Sequence, residues 1–124
     1  MDKDKYITQH QESIRNAEKE ISDLAAQKKK LEEQRQSLFE WKRKDMAYLS
    51  QLHSDLQGEV AQQDRRMIEN LLDGTQQMCR SVEQQMEQEA MEIERKHKQV
   101  SAQKEFAQAE YRRAQHNVDK GGTI

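Results

Sequence analysis

The chain has 124 residues, of which 33% are hydrophobic and 35% are charged, with no proline, four glycines and one cysteine. Globular domains are typically about 45–50% apolar and about 25% charged, so this chain cannot enclose a thick core. Its 21 basic and 23 acidic residues are interspersed, which argues against nucleic-acid binding.

Hydrophobic run length argues against the membrane as well. No apolar run approaches the ~20 residues that span a bilayer, and the N-terminus lacks the apolar segment typical of a signal peptide. We therefore expect no membrane insertion and a cytoplasmic location. The single cysteine, Cys79, cannot form an internal disulfide.

The first half of the chain carries a heptad repeat, the pattern of a helix that packs on another helix. Its a and d positions hold Ile7, Ile14, Ile21, Leu24, Leu31, Leu38, Leu49, Leu52 and Leu56. Lys28, Arg35 and Lys42 interrupt the repeat at a, and Asp45 interrupts it at d. Two helices alone are expected to satisfy these charges poorly, which favours a further partner.

A glycine near the middle of the chain, Gly58 in the triplet Leu56-Gln57-Gly58, is the predicted turn. Glycine is the usual residue just past a helix C-terminus because it tolerates positive φ. A turn here leaves two arms of nearly equal length. The alternative, in which the glycine stays helical, is one continuous rod.

The second half repeats the heptad pattern. Leu72, Cys79, Met86, Ile93, Val100, Ala107 and Ala114 are seven apart. Ile68, Leu71, Val82 and Ala90 flank the same predicted face. Gly74 costs about 1 kcal/mol relative to alanine in a helix, so it weakens this arm without forcing a turn.

The sequence therefore predicts an all-α fold, a long antiparallel two-helix hairpin resembling a coiled coil, with its turn near Gly58. We expect a single domain over residues 1–118, with arms of about 4–55 and 60–118 and a flexible tail at 119–124. Antiparallel pairing of these arms places Tyr6 near Tyr111.

Catalysis and cofactor binding have no support in the sequence. The four histidines include no pair at i+3 or i+4, and two histidines do not make a specific metal site. There is no glycine-rich phosphate loop, and a thin hairpin has no pocket to shift carboxylate pKa values. We predict no enzyme activity, no metal and no cofactor.

An apolar zone near the turn is the predicted partner-binding site, because aromatic residues and methionine commonly anchor interfaces. The residues predicted to bind are Leu38, Phe39, Trp41, Met46, Tyr48 and Leu49 on the first arm, with Met67 and Leu71 on the second. Met78 of the second arm lies in the same apolar zone. The alternative is that these side chains only close the two arms on each other.

Two long helices joined at a triplet ending in glycine resemble the WXG100 class of type VII secretion proteins, with Leu56 in place of the tryptophan. Tyr111-Arg-Arg-Ala-Gln115 resembles their Tyr-x-x-x-Asp/Glu export signal, with glutamine where the acid stands. The chain is more similar to the LXG-associated α-helical proteins of type VIIb systems, through its Gln- and Glu-rich arms, its turn glycine and the ending AEYRRAQ at 109–115.

This resemblance implies a bacterial targeting factor or chaperone that works in the cytoplasm. It implies binding to the N-terminal helical domain of an LXG-type toxin, together with a second small helical protein, as a hetero-oligomer. Export with the partner stays open. Two alternatives also stay open: a coiled-coil stalk protein of a type III or flagellar export ATPase, and a self-associating structural coiled coil.

Overall fold

Two long helices make up the fold. The computed structural model describes residues 2–56 and 61–121, with side chains for 4–56 and 61–117. Helix α1 spans Asp2–Asp55 and helix α2 spans Gln62–Gly121. The two helices pack against each other, so the predicted all-α helical hairpin is confirmed. Gly58 lies outside the described residues, and its role in the turn stays a prediction.

The contacts divide the chain into two compact units. Met1–Lys28 and Met91–Ile124 form one, which we call the terminal unit, and Lys29–Ala90 forms the other, the middle unit. In the terminal unit Glu18 pairs with Lys104. In the middle unit Lys42 pairs with Glu83. The helices are antiparallel within each unit, and the single-domain prediction stays a prediction.

The predicted seam of α1 is confirmed by burial. All nine of its predicted Ile and Leu positions are buried or half-buried. In the terminal unit the core consists of Ala17, Leu24 and Val100, with Ile21 and Ile93 packed against it. Burial of these aliphatic side chains is the main force that holds α1 on α2 in this unit.

The seam of α2 shifts where the middle unit ends. Heptad spacing holds from Ile68 to Met86, but the next half-buried residue, Ala90, follows by four residues instead of three. Beyond it the seam includes Lys104 and Tyr111 rather than the ideal heptad positions one residue earlier. A four-residue step inserted into heptads locally unwinds a coiled coil.

Two predictions about α2 are corrected. Leu71 is exposed and does not flank the seam. Helix α2 continues past residue 118 to Gly121, so residues 119–121 belong to the helix and not to a tail. Residues 122–124 of the predicted tail lie outside the described residues.

Gly74 lies inside α2 without interrupting it. A Cβ added there would meet no atom of the described residues within 4 Å. At a concentration where the chain is monomeric, Gly74→Ala is therefore expected to raise the free energy of unfolding by about 0.5–1 kcal/mol, through helix propensity and a less flexible unfolded chain. Urea unfolding followed by circular dichroism measures this change.

Gln76→Ala is the matched control, because Gln76 is exposed on the same helix and is already a helix former. Its effect should stay within about 0.5 kcal/mol. A loss of stability in Gly74→Ala would contradict the open helical environment at this position.

Candidate functional site

The predicted partner-binding residues divide into two groups. Leu38, Met46 and Leu49 are half-buried, so they help to close α1 on α2. The other five are exposed: Phe39, Trp41, Tyr48, Met67 and Leu71. Closing the two helices on each other therefore does not account for the whole predicted zone.

The exposed aromatic residues of α1 lie on two opposite sides of the helix pair. Phe39 follows the seam residue Leu38 and is an e position, whereas Trp41 and Tyr48 precede seam residues and are g positions. Two residues along a helix are separated by about 200° around its axis, so Phe39 and Trp41 cannot share one face. The prediction of one continuous zone is wrong on this point.

Ion pairs mark the side on which Phe39 lies. The His53 Nε2 atom is 3.0 Å from the Glu69 carboxylate, and both residues are e positions. Lys42 Nζ is 3.6 Å from Glu83, another e position of α2. These contacts are largely exposed, where each ion pair contributes about 1 kcal/mol or less. They fix the antiparallel register of the middle unit.

The opposite side of α2 is free of charge over nearly five turns. Between residues 67 and 85 the charged residues are Glu69, Asp73, Arg80 and Glu83, and all occupy e or b positions. Every c, f and g position in that range is uncharged and exposed: Met67, Asn70, Leu71, Gly74, Gln77, Met78, Ser81, Gln84 and Gln85. We call these nine residues, with Trp41 and Tyr48 of α1, the uncharged face. Lys44 of α1, an exposed c position between Trp41 and Tyr48, borders it.

This face has the composition of a protein interface. Interface centres are depleted of charge and enriched in aromatic residues and methionine, with polar residues at the rim. Trp41, Tyr48, Leu71 and Met78 provide the apolar part, and glutamines border it. The sequence-based prediction of the apolar zone included Met78 but missed Gly74. The sequence did contain a signal for this face. The c, f and g positions of α2 are uncharged over residues 67–85, although the chain as a whole is rich in charge.

The charges in the α1 seam are less poorly satisfied than expected. Lys42 reaches Glu83 with its ammonium group while its stem stays half-buried, so the two helices satisfy it between them. Lys28 and Arg35 are exposed although they occupy a positions. The expectation that two helices satisfy these charges poorly is therefore wrong for these three residues, and it stays a prediction for the half-buried Asp45.

The turn and the predicted export-signal remnant have ordinary structural contacts. Leu56 is half-buried, and its backbone N–H donates to the Leu52 carbonyl at 3.2 Å. The Tyr111 hydroxyl accepts hydrogen bonds from the side-chain amides of Gln115 at 2.8 Å and Gln11 at 3.1 Å. The Tyr111–Gln115 pair thus lies within α2 and ties it to α1.

A shallow groove of about 630 Å³ opens on the terminal unit. Small side chains at its floor, Ala17 and Ala107, leave the space between the helices, and Phe106 borders it with 68% of its surface exposed. The His10 ring lies edge-on to Tyr6, with ring centres 4.2 Å apart. The His10 Nε2 atom is buried and has no hydrogen-bond partner among the described residues. Sequence analysis missed Phe106, an aromatic residue outside the seam register.

The surroundings of Tyr6 in this region raise the pKa of its hydroxyl. Its hydroxyl donates to the Glu110 carboxylate at 3.2 Å. Desolvation of the phenol, then this hydrogen bond and the negative charge of Glu110, raise the pKa of Tyr6 above its ordinary value of 10.0. The raised pKa favours the neutral phenol, which links Tyr6 of α1 to Glu110 of α2. Glu110 is one residue away from Tyr111, the predicted neighbour of Tyr6.

The part of the chain that the structure describes holds no candidate metal site and no candidate membrane span. No three His, Cys, Asp or Glu residues there are arranged to hold a metal ion. No described helix is long and apolar enough to cross a membrane.

Comparison with known proteins yields no family model, no curated protein and no solved structure that matches this chain. The resemblance to LXG-associated and WXG100-like proteins therefore stays a prediction.

Proposed function

We propose that this chain is a non-enzymatic targeting factor or chaperone. Its partner would be the N-terminal helical domain of a secreted LXG-type toxin, bound together with a second small helical protein and delivered to a type VII secretion system. The observation that carries the proposal is the exposed apolar surface of the middle unit. In particular, Trp41 is 44% exposed and Phe39 is 64% exposed on a helix pair that leaves both without cover.

The proposed mechanism is the completion of a helical bundle. A partner helix that packs across α1 and α2 would bury aromatic and methionine side chains that now face water, which contributes about 25 cal/mol for each Å² of apolar surface removed from water. Helix-in-groove recognition of this kind uses anchors spaced at i, i+3, i+4 and i+7. Met67, Leu71, Gly74 and Met78 follow this spacing on α2.

The direct experiment is recovery of the protein from its native cell under gentle lysis, followed by identification of what accompanies it. We expect a large protein with an N-terminal helical domain and a toxic C-terminal domain, and a second small helical protein. An export ATPase in its place would support the stalk alternative, and recovery of the chain alone would contradict the proposal.

Trp41→Ala and Phe39→Ala are each expected to weaken binding of the recovered toxin domain by more than about 1 kcal/mol, because exposed aromatic residues commonly act as interface anchors. Helicity should stay unchanged, since neither side chain lies in the seam. Calorimetric titration measures the affinity. Gln76→Ala is the control, as an exposed e-side residue with little surface to lose.

The two variants also separate the two sides of the hairpin. A loss confined to Trp41→Ala would assign the partner to the uncharged face, and a loss confined to Phe39→Ala would assign it to the side of the ion pairs. Unchanged affinity in both variants would contradict the anchor role. The stalk alternative finds less support, because an exposed patch of aromatic residues is not expected on a strongly charged stalk.

A further inference from the structure

We infer that the uncharged face of the middle unit pairs with the same face of a second copy of this chain. The inference goes beyond the proposed function, because self-association needs no other protein. A toxin helix packed on Met67, Leu71 and Met78 would compete with this dimer for the same face.

Charge is the first argument for a second copy as the occupant. In a two-fold symmetric dimer each surface meets itself, so a strongly charged surface would face like charge. On α2 the c, f and g positions between residues 67 and 85 hold no charge, and all four charges in that range lie on the other side. This side of α2 therefore presents no charge that would repel α1 of a second copy, on which Lys44 is an exposed charged residue of the facing side.

The second argument is the position of large and small side chains along the two helices. Lys42 pairs with Glu83 and His53 pairs with Glu69, so Tyr48, which lies between the two pairs, is level with α2 near Gly74. Trp41, next to Lys42, is level with α2 near Gln84. Of the two aromatic residues on this face, Tyr48 is thus the one that lies level with a small exposed residue of α2.

This arrangement of large and small residues is complementary to itself. A two-fold axis that runs parallel to the helices, between two facing copies, sets α1 of one copy over α2 of the other at the same level. In such a dimer residue i contacts j and j contacts i. Tyr48 of each copy then covers Gly74 of the other. Alternation of large and small residues across facing layers lets side chains interdigitate.

The absence of a side chain at Gly74 supports the pairing. A glycine within a helix is unfavourable relative to alanine, yet no atom of the described residues would lie within 4 Å of a Cβ at this position. Nothing within the described part of one chain therefore requires a glycine there. An aromatic ring of a second copy, packed against the bare backbone, gives the missing reason. The product is a four-helix layer in which Leu71 and Met78 are also covered.

Sedimentation equilibrium of the purified full chain, from low micromolar to hundreds of micromolar, tests the inference. We expect the mass to rise from that of one chain to that of two. Gly74→Leu should raise the dissociation constant at least about tenfold, because it fills the position that Tyr48 occupies. The variant should still fold, since leucine favours a helix and has open space here.

Two controls keep the test specific. Gln76→Leu adds the same apolar side chain on the opposite side of α2 and should leave the dimer unchanged. Tyr48→Ala should weaken the dimer without filling Gly74, and after it Gly74→Leu should have a smaller effect, because the two residues act through one contact.

A chain that sediments as a single copy at every concentration would overturn the inference and leave the uncharged face to a different protein. A dimer unaffected by both Gly74→Leu and Tyr48→Ala would overturn it too, since another surface would then hold the copies together. Neither result excludes a toxin domain, which would bind this face in competition with the second copy or bind on the side of Phe39. Failure to recover that domain from cells would, conversely, leave the dimer intact.

Discussion

Replacement of Leu24 by alanine is expected to lower the free energy of unfolding by about 2–4 kcal/mol, the largest effect among the truncations suggested here. Leu24 is only 5% exposed and lies in the core cluster of the terminal unit with Ala17 and Val100. Its truncation removes apolar contacts and leaves a cavity in a core that has few other members. Urea unfolding followed by circular dichroism gives the free energy.

Leu71→Ala provides the matched control, because it is the same substitution at a leucine that is 52% exposed. At a concentration where the chain is monomeric, its effect should stay below about 1 kcal/mol. Equal losses in the two variants would contradict the assignment of Leu24 to the core.

Cys79→Asp is expected to destabilise the middle unit by about 3 kcal/mol or more, because it buries a carboxylate in the seam without a cationic partner. Cys79 has no exposed surface, and among the described residues it is the one side chain buried to this degree. The urea midpoint should fall accordingly. Protonation of the carboxyl at low pH should restore part of the loss, since the neutral acid is cheaper to bury.

Cys79→Ala separates the effect of a buried charge on stability from the effect of a changed side-chain volume. It removes only the sulfur and should cost about 1 kcal/mol. Thiol reagents offer an independent check, since a buried thiol reacts only when the structure opens. The native thiol should react slowly, and a thiol moved one residue away by Met78→Cys in the Cys79→Ala background should react fast. Similar rates would contradict burial of Cys79.

Helical periodicity made the fold predictable. Ile14, Leu24 and Leu31 in α1, and Val100 and Ala107 in α2, were expected in the seam from their spacing alone, and all are buried or half-buried. The shift of the α2 seam at Ala90 was not expected. Nothing in the spacing of Met86, Ile93 and Val100 signals it, because these residues keep the heptad repeat on both sides of the shift.

The candidate site was predicted less well. Phe39 and Trp41 were grouped because they are close in sequence, whereas their separation of two residues on a helix puts them on opposite sides. Lys42 was expected to lack a partner, because the sequence does not state which residue of α2 lies beside it. The contact with Glu83 depends on the register between the helices.

The sequence by itself determined that the chain forms two helices and which stripe of each faces the other, because apolar spacing of three and four residues is a local property of a helix with 3.6 residues per turn. Only the tertiary structure decided which exposed residues lie level across the pair. The register set by His53 with Glu69 and Lys42 with Glu83 places Tyr48 level with α2 near Gly74. Such a pairing joins residues far apart in the chain, and no local repeat encodes it.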